Sequence, residues 1–301
     1  MLSAVGAPGI GKGVGIVGKT LINVGSEKLK QEFLPKILNA EIEFAVGYSE
    51  PGAGSDSAAM RLKAERSGEG WVLSGQKIFT TSAHFADWYW VGARTDSSRP
   101  KHDGITLFLV PMDHPGLTVH AMYTMGGERT NGVFFDDKRF WPIMERTNGV
   151  FFDDVYVPDE YRVGELNKGF QYIAEALDIE RFTLFTFSPI RARMELLADY
   201  VKHATRDGKP LREDPVIRQR IAQLATECEV GRLLGVKFIS AAMQGGKTPT
   251  IEASCYKLYS TELSLRIANA TMDIVGPGAQ LALDTEDAPL RGRPERCYTY
   301  T

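Results

Sequence analysis

A chain of 301 residues is long enough for one large or two ordinary domains, and 43% hydrophobic with 24% charged residues excludes a disordered or fibrous protein. A formal charge of −3 leaves no electrostatic footprint for nucleic acid or an anionic membrane, no apolar run reaches membrane-spanning length, and Met1-Leu-Ser-Ala-Val lacks the basic start and apolar core of a signal peptide. Cys228, Cys255 and Cys297 are odd in number and widely spaced, and the histidines are scattered, so the composition points to a reduced, cytoplasmic protein without a metal site.

In chain order, Gly13-Val-Gly-Ile-Val-Gly-Lys19-Thr20 fits the Walker A spacing. A phosphate loop needs a buried strand before it and a helix after it, so that amides at the helix start can cradle phosphate. Met1 to Val5 is too short and weak a strand, and no parallel βαβ series follows, so nucleotide hydrolysis is not expected. From about Val17 to Asn39, Leu21, Leu29, Phe33 and Ile37 fall among Lys, Glu and Gln in a pattern suited to one or two amphipathic helices.

From about Glu41 to Arg162 the chain turns to short runs of Val, Phe, Tyr, Trp and Thr, separated by Gly, Pro, Asp and Ser clusters, which predicts a β-domain. Within it, Tyr48-Ser-Glu-Pro-Gly-Ala-Gly-Ser-Asp56 suits neither helix nor strand. Gly52 and Gly54 permit backbone angles and close ligand approach that a Cβ would block, while Pro51 fixes φ and Ser49, Ser55 and Asp56 supply hydrogen-bonding groups. An alternating segment then leads from Trp71 through Gly75-Gln-Lys77-Ile-Phe79-Thr80-Thr81-Ser82. Glu128–Asp137 recurs identically as Glu145–Asp154; the second copy runs on into Val155-Tyr-Val-Pro158 and is taken as the strand, the first with its spacer as an insertion or duplication. From about Gly169 the period becomes helical. Ile217, Ile221, Leu224, Ala225, Cys228, Leu233, Val236 and Phe238 are predicted to share one face, and Pro215 to open a helix.

Tyr48–Asp56, Gly75–Ser82, Thr147–Pro158, Gly164–Phe170, Leu177–Arg181, Glu252–Lys257 and Ile274–Gly278 resemble, in the same order, motifs of the acyl-CoA dehydrogenases, across nearly the whole chain. The resemblance implies an α+β fold: a remnant of an N-terminal helical domain at 1–40, a middle antiparallel β-domain at 41–164 with a duplicated insertion at 128–144, and a C-terminal helical bundle at 165–301. The family's first helices would precede this chain, and a final loop and helix would follow Tyr300; both normally wall the acyl pocket. FAD is the implied cofactor, with Tyr48, Ser49, Phe79, Thr80 and Thr81 against it. Phe79 stands where the family usually has tryptophan, and Ser82 where asparagine is common.

The implied reaction is oxidation of an acyl-CoA thioester to the 2,3-enoyl-CoA, and Glu180 matches one of the two positions from which the family draws its α-proton base. Ser55 matches a contact to the pantetheine arm, Asp178 a position near the CoA chain, and Arg181 a supporting residue. The implied partners are acyl-CoA, an electron-transfer flavoprotein and further subunits in a homo- or hetero-oligomer. One departure bears on the flavin. Where homotetrameric members use Arg and Phe of an Arg-x-x-Phe-Gly sequence to grip its pyrophosphate, this chain has Ala204 and Asp207, and an Asp there would repel the anion unless Arg206 compensates. Two other functions therefore stand beside the dehydrogenase: a non-catalytic or partly catalytic subunit that completes another chain's site, and a flavin monooxygenase of the same fold.

Overall fold

The computed structural model describes residues 11–122, 147–183, 187–244, 249–283 and 285–300. They belong to two compact units that divide between Glu180 and Arg181.

The first unit opens with the glycine-rich segment, which is helical. Gly13–Gly18 forms a π-helical turn leading into α1 (Lys19–Val24), with Gly15, Ile16, Val17 and Gly18 buried. A Cβ on Gly18 would stand 2.9 Å from the Gly13 carbonyl oxygen, and the Gly15 amide donates to the Gly11 carbonyl. These glycines serve close packing, and their amides form no phosphate cradle. The Ser26 hydroxyl then caps α2 (Glu27–Leu38) by accepting from the Leu29 amide, and Leu29, Phe33 and Ile37 form its buried stripe.

The β-domain follows as β1 (Phe44–Gly47), β2 (Lys63–Ser67), β3 (Gly70–Lys77), β4 (Trp88–Arg94), β5 (Ile105–Pro111), β6 (Leu117–Met122), β7 (Thr147–Pro158) and β8 (Arg162–Val163). Among the described residues they form one sheet in the order β6-β7-β3-β2-β4-β5-β8, with β1 also on β4. The pairings are antiparallel except that β1 runs parallel to β4 and Lys63 pairs with Arg94 in parallel. Strand alternation builds two cores. Ile105, Leu107, Leu109 and Trp90 face the helices, with Phe33 and Leu21, whereas Phe108, Val110, Tyr89 and Val91 face the other side, with Trp71, Leu73, Val150 and Val155. Both faces of β4 and β5 are thus buried, which explains their nearly continuous apolar sequence.

The second copy of the ten-residue repeat lies in β7, where Trp71 pairs with Val157 and Lys77 with Val150 on one side and Met122 with Thr147 on the other. The first copy, Glu128–Asp137, lies outside the described residues. Deleting 128–144 is expected to leave the melting temperature unchanged or slightly raised. The strand's described pairing partners are all retained, and halving the length of a connection changes its closure entropy by only about 0.6 kcal/mol. A large fall in melting temperature would show that the first copy is an integrated part of the fold.

α3 (Gly169–Thr183) starts hard against β5. A Cβ on Gly169 would lie 2.8 to 2.9 Å from backbone atoms of Ile105, Thr106 and Leu107. That contact directs Tyr172, Ile173 and Ala176 into the helix-side core.

The second unit contains α4 (Phe187–His203), a hairpin of β9 (Thr205–Arg206) and β10 (Lys209–Pro210), α5 (Pro215–Met243), α6 (Thr250–Val275) and α7 (Arg293–Tyr300). Pro215 opens α5, and the Asp214 carboxylate caps it through the Val216 and Ile217 amides. The predicted face is partly corrected. Ile217, Leu224, Cys228 and Phe238 are buried together with Gly231 and Gly235, but Leu233 and Val236 are 55% and 50% exposed. The glycines mark the contact face because it admits large rings. A Cβ on Gly231 would lie 3.3 Å from Phe187, and one on Gly235 3.2 Å from Tyr256.

Candidate functional site

The site is built in the first unit, where β1 and β3 release their chains side by side. After Gly47 the loop turns back on itself, with the Glu50 and Ala53 backbones exchanging hydrogen bonds at 2.8 and 3.0 Å. The Ile78 amide, one residue past β3, donates to the Ser49 carbonyl at 3.0 Å and so binds the two segments together. Below this junction lies a buried ion pair. Lys77 Nζ is 2.7 Å from Glu50 Oε1, and the carboxylate also accepts from the Leu62 amide at 2.9 Å and the Arg61 amide at 2.6 Å. Burial pulls the Lys77 ammonium down to about 8 against the opposing field of Glu50, and the Arg94 charge adds to the depression.

Gly52 and Gly54 correct part of the expectation. Neither has a positive φ, and a Cβ on either would meet nothing within 4 Å, so the chain's own backbone does not require glycine there. Unusual backbone angles occur instead at Phe79 (φ 53°) and Ser82 (φ 69°), left-handed conformations that cost about 1–3 kcal/mol each and persist only where the surroundings enforce them. Thr80 supplies that enforcement. Its amide and carbonyl exchange hydrogen bonds with the Asn148 backbone at 2.9 and 3.1 Å, its carbonyl also accepts from the Asn148 side chain at 3.0 Å, and its hydroxyl lies 2.7 Å from that of Tyr89.

The two threonines therefore differ. The Thr80 side chain is fully buried in the sheet core, whereas the half-buried Thr81 hydroxyl takes part in no hydrogen bond among the described residues. Beside it the Phe79 ring is 59% exposed, a large apolar surface on an otherwise constrained loop. Lys12 reaches the same loop, with Nζ 2.7 Å from Ser82 Oγ. A flat ring with an acceptor nitrogen at its edge fits an exposed phenyl face beside an unengaged hydroxyl.

Tyr48 is anchored by the Trp90 indole, which donates to its hydroxyl at 2.8 Å. Burial drives the phenol far above its ordinary range; the Trp90 hydrogen bond opposes this, and the negative field of Glu180 adds to it. That field agrees with helix geometry. Glu180 lies seven, four and three residues beyond Ile173, Ala176 and Leu177, on the face of α3 that packs into the core holding Tyr48 and Trp90. Asp178 is buried, and Ser55 is exposed beside Asp56, which pairs with Lys101 at 2.8 Å. Arg181 belongs to α3, but its side chain lies outside the described residues. The sequence-based expectations give no role to Glu50 or Lys77; the signal for them was a lone Glu and a lone Lys inside the two motif segments, Tyr48–Asp56 and Gly75–Ser82.

In the second unit, Asp207 and Gly208 form the tip of the β9–β10 hairpin with φ of 51° and 75°, the pattern of an Asp-Gly turn. Arg206 donates through Nη2 to the Ile274 carbonyl at 2.5 Å and contacts that of Asp273, so its guanidinium caps the end of α6.

Residues 45–138 match the acyl-CoA dehydrogenase middle domain and residues 167–293 the acyl-CoA dehydrogenase C-terminal domain. The first match ends just past the first repeat copy, and the second copy lies in β7. The chain is 31% identical over 290 residues to acyl-CoA dehydrogenase FadE26 of Mycobacterium tuberculosis, covering 94% of this chain and 68% of that one. The solved Tcur3481-Tcur3483 steroid ACAD superposes with a TM-score of 0.85 at 31% identity, over 98% of this chain and 71% of that one. The ChsE4-ChsE5 complex from Mycobacterium tuberculosis gives 0.83 at 30% identity, over 98% and 72%.

Proposed function

The chain belongs to the acyl-CoA dehydrogenase family, and we propose that it carries out the α,β-dehydrogenation of an acyl-CoA thioester with FAD. The reading is carried by the exposed Phe79 ring and unengaged Thr81 hydroxyl on a loop locked by Thr80, in the same unit as the helix face that bears Glu180. When bound, FAD supplies a two-electron acceptor for a hydride. Tyr48, Ser49, Phe79, Thr80 and Thr81 are the residues that would hold that cofactor, with Thr80 locking the loop through its bonds to Asn148 and the Thr81 hydroxyl able to donate to a ring nitrogen.

Glu180 takes the proton from the acyl α-carbon. The electron pair of that C–H bond becomes the new α,β double bond, and the hydride departs from the β-carbon, so the substrate loses one proton and one hydride. Ser55, Asp178 and Arg181 serve the CoA moiety and the site around the base. The steroid ACAD resemblance favours a bulky acyl group, and an electron-transfer flavoprotein would receive the electrons in a cytoplasmic setting. Among the described residues no helix is long and apolar enough to cross a membrane. Exposed Ile251, Leu258 and Leu265 recur every seven residues on α6, an apolar stripe suited to a further subunit.

A second reading is a subunit that completes another chain's site. It is favoured by Ala204 and Asp207 at the pyrophosphate-gripping positions and by the commitment of Arg206 to the end of α6. Absorbance of the purified protein separates the two: flavin near one per chain supports the enzyme, and a colourless protein supports the subunit. In the coloured case, Thr81→Val keeps the shape and removes the hydroxyl, so flavin reduction should slow while the melting temperature stays within a few degrees. Unchanged FAD affinity and reduction rate in that variant would remove Thr81 from the site.

A further inference from the structure

We infer that the buried Glu50–Lys77 ion pair is a positioning device that holds the Tyr48–Ala53 turn against the Phe79–Ser82 loop, so that the cofactor surface is formed before the cofactor arrives. The inference rests on the flavin reading given above. Each residue of the pair lies immediately beside the proposed flavin-facing groups in the chain. Glu50 follows Tyr48 and Ser49, and Lys77 precedes Ile78 and Phe79.

Three observations carry it. Lys77 has no exposed side-chain surface and Glu50 has 7%, so the pair is shielded from water and salt. The carboxylate accepts hydrogen bonds from both the Arg61 and Leu62 amides, which ties the far end of the same loop to Lys77 as well. Finally, Phe79 and Ser82 hold left-handed angles that a loosely attached loop would relax. A buried ion pair is a poor way to gain stability, because desolvation consumes most of the attraction, but its short range and fixed geometry make it suited to fixing register.

The test uses the full chain and FAD itself as the probe. In Glu50→Gln/Lys77→Met both charges are removed together, while the Gln carbonyl can still accept from one of the two loop amides. Amide exchange is followed without cofactor, and FAD affinity by titration. The expected result is faster exchange confined to residues 48–53 and 78–81, unchanged exchange in β4 and β5, and a fall in FAD affinity of about 10-fold to 100-fold. If the double variant does not fold, Glu50→Gln alone, which keeps the Lys77 aliphatic stem in place, is put through the same measurements. Exchange that is unchanged in the two segments, or raised evenly across the sheet, overturns the positioning role. Failure of the unaltered protein to bind FAD would instead overturn the flavin reading, and the exchange pattern would still decide whether the pair holds the two segments.

Discussion

Replacing Glu180 by Gln is expected to lower turnover by about 10²–10⁴-fold or more while flavin remains bound. The amide has the size and much of the hydrogen-bonding capacity of the carboxylate but cannot accept the α-proton, so the loss falls on the chemical step. The position on α3 makes the expectation specific. The helix face that buries Ile173 and Ala176 continues to Glu180 beside the Tyr48 phenol, whose own oxygen is already committed to the Trp90 indole. The measurement is flavin bleaching by an acyl-CoA in a single turnover, with the visible spectrum before mixing reporting cofactor occupancy. Near-normal bleaching in the Gln variant would move the base elsewhere.

The parts of the fold that follow from periodicity are readable in the sequence. The short apolar runs at Trp88–Arg94 and Ile105–Pro111 become β4 and β5, the Leu29, Phe33 and Ile37 spacing becomes α2, and Pro215 after Asp214 starts α5. The failures have a common cause, which is that glycine and charge carry no hydrophobic signal. On α5 the buried stripe runs through Gly231 and Gly235, where Phe187 and Tyr256 lie against the helix, so counting apolar side chains draws the face through Leu233 and Val236 instead. In Gly13–Gly18 a packed helical turn carries the Walker A spacing, and the lack of a strand before it is what sets that spacing aside in the sequence.

The candidate site divides in the same way. The two irregular segments are conspicuous because Pro, Gly and hydroxyl residues interrupt a β pattern, and the resemblance supplies their roles. Which hydroxyl is available is not legible. Thr80 and Thr81 are neighbours of one type, and only the pairing of Thr80 with Asn148 and Tyr89 sends one inward and leaves the other unengaged. The departures at Ala204 and Asp207 gain a local explanation as well. Asp207 occupies a left-handed turn position that Asp tolerates, and Arg206 satisfies carbonyls that the end of α6 leaves open.

Lys77→Met is expected to destabilise the protein by about 3–5 kcal/mol at neutral pH, because it leaves the Glu50 carboxylate buried without its cation. Adding Glu50→Gln should recover part of that loss, since it removes the unpaired charge but can accept from only one of the Arg61 and Leu62 amides. The pH dependence gives a second and sharper signature. Burial lowers the Lys77 ammonium from 10.5 to about 8, with Arg94 adding to the depression and Glu50 opposing it. Between those two values the unfolded chain holds a proton that the folded chain has released, so stability rises with pH across that window. Below about pH 8 both states are protonated and the contribution of this group is flat. The slope cannot exceed about 1.4 kcal/mol per pH unit for one proton. Urea unfolding midpoints at pH 7.5 and 9.5 should therefore show the unaltered protein gaining stability relative to Lys77→Met as the pH rises. The Tyr48 and Tyr89 phenols, both raised by burial, stay protonated in the folded state, and their ionisation near pH 10 in the unfolded chain is common to both proteins and cancels in the comparison. A difference between the two proteins that is the same at both pH values would show that Lys77 is not the titrating group, and that the pair keeps its charges from neutral to alkaline pH.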